Sequence, residues 1–150
     1  MTNPDRVIDI AESLFFEDLS EGMQAQLSKN ITEQDINQFA QLSGDTNPVH
    51  LDESYAATTL FKTRIAHGSL CASFISAAFA TRLPGPGCIY VSQNLRFKAP
   101  VFIGSEVVTK VVVKNLIPKK CFVEFTTQCF VNDALVLDGE ATLMVPSRQR

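Results

Sequence analysis

Residues 68–83, GSLCASFISAAFATRL, put apolar or small side chains on nearly every face of a helix. In a water-soluble chain such a helix has to sit inside a core, so the rest of the chain must wrap it. The run falls short of the ~18 apolar residues that a membrane-spanning helix needs, and no other run reaches that length. Pro84-Gly85-Pro86-Gly87 stops it. Beyond Cys88 the apolar period changes from that of a helix to that of strands. Strands are predicted over 88–98, 106–114, 121–130 and 135–145. In the last of these, Leu135, Leu137, Ala141, Leu143 and Val145 share one face, and Asp138, Glu140 and Thr142 share the other. Asn132-Asp133 reads as the hairpin turn before it. One buried helix followed by consecutive antiparallel strands implies an α+β architecture, with the sheet curled around the helix. Its edges need protection, and a second copy of the chain is one way to supply it.

Upstream of the buried helix the signals are local. Asn3, Pro4 and Asp5 suit a helix start, and a helix is predicted over 3–16. MQAQLSK at 23–29 alternates weakly, as a first strand would. Thr32 followed by Asp35 is a variant capping box, and Ile31 and Ile36 occupy the positions of a hydrophobic staple. Gly44 suits the end of that helix. Pro48 prevents its continuation as a regular helix, and a short helical piece is predicted at 53–57.

The chain has 150 residues, the size of one domain, with 45% hydrophobic and 19% charged residues. Residues 1–20 read as a helical extension and 21–150 as the domain proper. A net charge of −3 without a lysine or arginine cluster gives nucleic acid nothing to bind. The N-terminus lacks the basic start and apolar centre of a secretory signal, and it is too acidic for a mitochondrial presequence, so a cytoplasmic protein is expected. The four cysteines, at 71, 88, 121 and 129, form no Cys-x-x-Cys pair and read as small buried thiols. With two histidines and no histidine–cysteine cluster, a zinc site is not expected.

Both histidines lie in turn-like contexts. Asp45 and His50 flank Thr46-Asn47-Pro48-Val49. Neither a straight helix nor a strand brings residues at that spacing to one atom. A turn can, and Gly44, Asn47 and Pro48 are turn residues. A carboxylate and an imidazole converging there could hold a water and exchange protons near neutral pH. Equally, Asp45 could cap a short helix and His50 could be a packed polar residue. His67-Gly68 stands at the entrance of the buried helix. Backbone N–H groups at a helix start have no intrahelical partner, and a glycine admits a close carbonyl oxygen. An ordinary helix entry would look the same. Ser73 could reach a polar cluster near that start, or simply bond a carbonyl of the preceding turn. Asn47 shapes the turn. Arg64, Arg96, Lys98, Lys119 and Lys120 read as solvated surface charges.

At Ser43-Gly44-Asp45-Thr46-Asn47-Pro48-Val49-His50 the sequence resembles the MaoC-like, (R)-specific enoyl-CoA hydratase family. The resemblance continues through Leu51-Asp52, Ala66-His67-Gly68, Pro84-Gly85-Pro86-Gly87, Tyr90 and Phe97-Lys98-Ala99-Pro100-Val101, and covers roughly residues 20–146. It is strongest to the short single-domain hydratases that feed polyhydroxyalkanoate synthesis. The resemblance implies a hot-dog fold, with an antiparallel sheet wrapped around the helix at about 68–83, and a homodimer. It implies reversible syn hydration of trans-2-enoyl-CoA to (R)-3-hydroxyacyl-CoA. Asp45 and His50 match the catalytic pair, the Gly68 backbone N–H the oxyanion donor, and Ser73, His67 and Asn47 supporting positions. No metal or redox cofactor is implied, since CoA enters as part of the substrate. Three alternatives share the fold: a dehydratase acting on 3-hydroxyacyl groups of acyl carrier protein, a thioesterase, and a non-catalytic acyl-thioester-binding domain.

Overall fold

The computed structural model describes residues 13–149. A single 3₁₀ turn, Phe16–Asp18, precedes β1 (Gln24–Asn30) and α1 (Glu33–Ser43). Two one-turn helices follow, α2 (Pro48–Leu51) and α3 (Glu53–Ala56), and then the long α4 (Gly68–Thr81). Four strands complete the chain: β2 (Ile89–Phe97), β3 (Glu106–Ile117), β4 (Phe122–Val131) and β5 (Ala134–Met144). They form one antiparallel five-stranded sheet in the order β1-β3-β4-β5-β2. This is the expected α+β arrangement of a sheet around a helix.

The local reasons for these elements match the sequence. Thr32 accepts from the Asp35 N–H while the Asp35 carboxylate accepts from the Thr32 N–H, closing the capping box of α1. The Thr32 N–H bond, ahead of the other contacts, holds the Asp35 carboxyl below its usual range. Gly44 ends α1 at φ +81°, a conformation that costs a side chain but not glycine. Asn132 and Asp133 both have positive φ, as a two-residue hairpin turn requires.

The buried face of α4 carries Leu70, Cys71, Phe74, Ile75, Ala78 and Phe79. It meets the buried alternates of β3 and β4, and the Phe79 and Phe125 rings pack at 4.7 Å. Each such large side chain contributes roughly 1.5–3 kcal/mol by leaving water.

Four expectations change. The predicted helix over 3–16 has residues 3–12 outside the described part. Its last residues are not α-helical: 13–15 run without helix into the 3₁₀ turn. There the Leu14 N–H donates to the Pro84 carbonyl, and Leu14 and Leu19 are buried. Pro48 does not merely stop a helix; it opens α2 at the first position, where its missing N–H costs nothing. Cys121 lies at φ +56° in the turn before β4 rather than in the strand. Finally, α4 is not covered all round. Ser69, Ser73, Ser76 and Ala80 form an exposed face beside edge strand β2.

Candidate active site

The loop after α1 folds because its polar side chains bond the backbone nearby. The Ser43 hydroxyl accepts from the Asp45 N–H, an Asp45 carboxylate oxygen accepts from the Asn47 N–H, and the Asn47 side-chain oxygen caps α2 at the Val49 N–H. Asn47 therefore shapes the turn, as expected. The consequence is convergence. Ligand-type atoms of Asp45, His50 and His67 all lie within 4.8 Å of one another. The turn residues brought Asp45 and His50 together in the sequence; His67 entered there only as a supporting position implied by the resemblance, and it lies in the same cluster.

Each imidazole is held in one tautomer. The His50 Nδ1 lies 2.8 Å from the Ile65 carbonyl, which can only accept, so Nδ1 carries the proton and Nε2 keeps a lone pair. The His67 Nε2 likewise donates to the Asp45 carbonyl at 2.9 Å. The two rings stack at 3.9 Å, and Phe39 lies against His67 on another side at 4.8 Å. His67 is 1% exposed and its Nδ1 has no hydrogen-bond partner among the described residues. Burial pushes its pKa below the ordinary 6.5; the Asp45 carbonyl opposes this, and His50 reinforces it. A neutral His67 thus braces the backbone of Asp45 and the ring of His50. Among the described residues this is the one cluster of three with metal-ligand side chains. The same convergence can hold a water between a carboxylate and an imidazole.

A cavity of about 520 Å³ opens beside His50. Gly68 lies on its wall, at the first position of α4, where a backbone N–H has no partner within the helix. A side chain there would collide with the Phe97 ring, 2.7 Å from the place a Cβ would take. Cys71, Val136 and Leu137 also line the cavity. Val136 is there because of a bulge: Cys129 pairs with Leu137 and Phe130 with Leu135, so Val136 has no opposite number. Its carbonyl instead accepts from the Lys98 and Ala99 N–H groups. Burial, followed by the neighbouring Cys129, pushes the Cys71 thiol up to about 12, which keeps it protonated and inert.

Ser73 is not part of this cluster. Its hydroxyl donates to the Leu70 carbonyl at 2.6 Å, and its side chain lines the groove between α4 and β2. Arg64 is not the solvated charge the sequence suggested. It is 7% exposed and bonds the His50 carbonyl. Nothing in its local sequence announces that burial. Lys98 is exposed at the cavity wall, Lys120 lies over the Phe122 ring at 5.6 Å, and all four cysteines are free.

The MaoC like domain family model matches residues 16–135, which include the whole cluster. The chain belongs to the MaoC-like family. Its family relatives include the (R)-specific enoyl-CoA hydratase of Rhodospirillum rubrum, 60% identical over 134 residues, covering 89% of this chain and 93% of that protein. The 3-hydroxybutyryl-CoA dehydratase of Methylorubrum extorquens is 50% identical, covering 91% and 87%. Among solved structures, R-hydratase PhaJ1 from Pseudomonas aeruginosa superposes with a TM-score of 0.86 at 46% identity, covering 91% of this chain and 88% of that one. The hot-dog fold implied by the sequence is the fold of these MaoC-like neighbours.

Proposed function

We propose that this MaoC-like chain catalyses the reversible syn hydration of trans-2-enoyl-CoA to (R)-3-hydroxyacyl-CoA. The observation that carries the proposal is that His50, with Asp45 within 4.8 Å of it, borders a cavity whose wall also includes Gly68 at the entry of α4. The thioester carbonyl accepts from Gly68 N–H, which polarises the 2,3 double bond and stabilises the enolate as it forms. A water held between Asp45 and the free Nε2 of His50 adds its oxygen to C3. Its proton passes to the pair, which returns one to C2 as the enolate collapses. The C=C π bond breaks, C–O and C–H bonds form on one face, and no electrons leave the substrate. The step needs neither redox group nor metal. The two side chains act as a coupled pair, so the base and acid roles belong to the pair together. His67 and Asn47 hold the loop.

We place a second copy of the chain against β2 and the serine face of α4. Ile89, Val91 and Phe97 are about half exposed along that edge strand, an edge that is costly to leave unpaired. Free thiols suit the reducing cytoplasm, and among the described residues no helix is long and apolar enough to cross a membrane.

The test is loss of enoyl-thioester absorbance with crotonyl-CoA, followed by chiral analysis of the product. Asp45→Asn and His50→Ala should each lower kcat by ~10²–10⁴-fold while folding normally. Near-wild-type rates in both variants would remove the pair from the mechanism. Release of free thiol would instead indicate a thioesterase, and preference for acyl carrier protein over CoA would make the chain a dehydratase of carrier-bound substrates.

A further inference from the structure

The most deeply buried cation among the described residues bonds the backbone of His50. The Arg64 guanidinium reaches three acceptors on two separate segments. Nε donates to the His50 carbonyl at 2.7 Å, one terminal nitrogen to Glu33 Oε1 at 2.7 Å, and the other to Asn37 Oδ1 at 3.1 Å. Glu33 and Asn37 are four residues apart and so share one face of α1. Arg64 does not line the cavity.

We infer that Arg64 is a positioning residue for His50, fixing the backbone of α2 to α1 so that the imidazole stands where the reaction needs it. The inference rests on the acid/base role given to His50 above. Its physical basis is the weakness of α2. That helix is one turn long and closes with the Asp52 N–H to the Pro48 carbonyl. A single turn fixes several dihedrals for very few bonds and does not hold itself in place. By contrast, α1 is capped at both ends and makes a firm anchor.

The two residues after Thr63 share the task. Arg64 holds the His50 backbone through its side chain, and Ile65 holds the His50 ring through its carbonyl. The segment is itself fixed: the Thr63 hydroxyl donates to Glu53 at 2.6 Å and the Ile65 N–H to the Val49 carbonyl at 3.3 Å. Only a guanidinium offers planar donors toward the peptide carbonyl and the α1 pair at once; an ammonium is a point donor. Removing it would leave the His50 ring bond in place but free its backbone to drift, and a displacement of about 1 Å at a reacting group costs on the order of 10²-fold in rate.

Arg64→Ala, Arg64→Lys and Glu33→Gln/Asn37→Ala should be compared with wild type on crotonyl-CoA. The expected result for Arg64→Ala is a folded protein with kcat lowered ~10²-fold and KM within about threefold, because the residue touches no substrate. Guanidinium chloride at tens of millimolar, against a sodium chloride control, should restore about tenfold of that loss in Arg64→Ala and none in His50→Ala. Arg64→Lys should stay impaired. Wild-type kcat in Arg64→Ala, or a loss that guanidinium does not relieve, overturns the inference. If Arg64→Ala does not fold, Arg64→Lys decides by the same kcat measurement, an unimpaired folded Arg64→Lys overturning it. If wild type itself does not hydrate crotonyl-CoA, the hydratase proposal fails alone. The backbone amide ¹H–¹⁵N signals of Val49, His50 and Leu51 then decide the positioning role: they should shift or broaden in Arg64→Ala as α2 loses its tie to α1, and unchanged signals overturn it.

Discussion

Replacing Gly68 with alanine separates what this residue does for folding from what it does for the reaction. The new Cβ would lie 2.7, 2.9 and 3.3 Å from three carbons of the Phe97 ring. Carbon atoms rest at about 3.5–4.0 Å, so the ring must retreat by ~0.8 Å or more. Within one chain Phe97 is 58% exposed, so its ring can turn away without disturbing the core. Alanine also restricts the unfolded chain, a gain of at most ~1 kcal/mol. Stability should therefore stay within about 1 kcal/mol of wild type, or a few degrees in Tm for a chain of this size. The rate should not survive. The thioester oxygen has to come within ~2.7–3.1 Å of the Gly68 N–H, and a methyl group beside that nitrogen, with a displaced ring at the cavity wall, obstructs the approach. A misplacement of ~1 Å lowers kcat/KM about 10²-fold, equivalent to roughly 2.7 kcal/mol of transition-state stabilisation. Thermal unfolding followed by circular dichroism and crotonyl-CoA hydration by absorbance measure the two halves. A variant with wild-type Tm and kcat/KM within threefold of wild type would show that no carbonyl docks at Gly68. A variant that simply unfolds would show that the glycine serves packing.

Two further outcomes test other parts of the site. The folded pKa of His67 lies below its unfolded value of about 6.5, so the unfolded chain takes up the proton first as the pH drops. The stability tied to a neutral His67 is complete above pH 6.5 and declines as the pH falls from there toward the folded pKa, each unit of depression accounting for about 1.4 kcal/mol. Urea unfolding of wild type and His67→Gln at pH 8, 6.5 and 5 should show their difference shrinking on acidification; a constant difference would contradict the burial argument. Val91→Asp on β2 should convert a dimer to monomer in size exclusion with light scattering, and an unchanged mass would place the partner surface elsewhere.

The elements were legible wherever a few neighbouring residues decide them. The Thr32–Asp35 box, Gly44, Asn132-Asp133, the apolar run of α4 and the alternation of the strands each depend on contacts within one or two turns of chain. The turn between Asp45 and His50 was readable for the same reason, and the family motif gave the pair a role to be tested. The rest depends on segments distant in sequence. His67 stacks on His50 because α4 begins beneath α2. Arg64 is buried because α1 supplies two acceptors about thirty residues away. Val136 faces the cavity because of a register shift between two strands. A lone serine on a helix has a local bond available, and Ser73 takes it instead of joining the cluster. The sequence thus determined which elements form and where a carboxylate and an imidazole can meet. Tertiary structure alone decided what surrounds them, because burial and hydrogen-bond partners are properties of neighbours that the chain brings together only on folding.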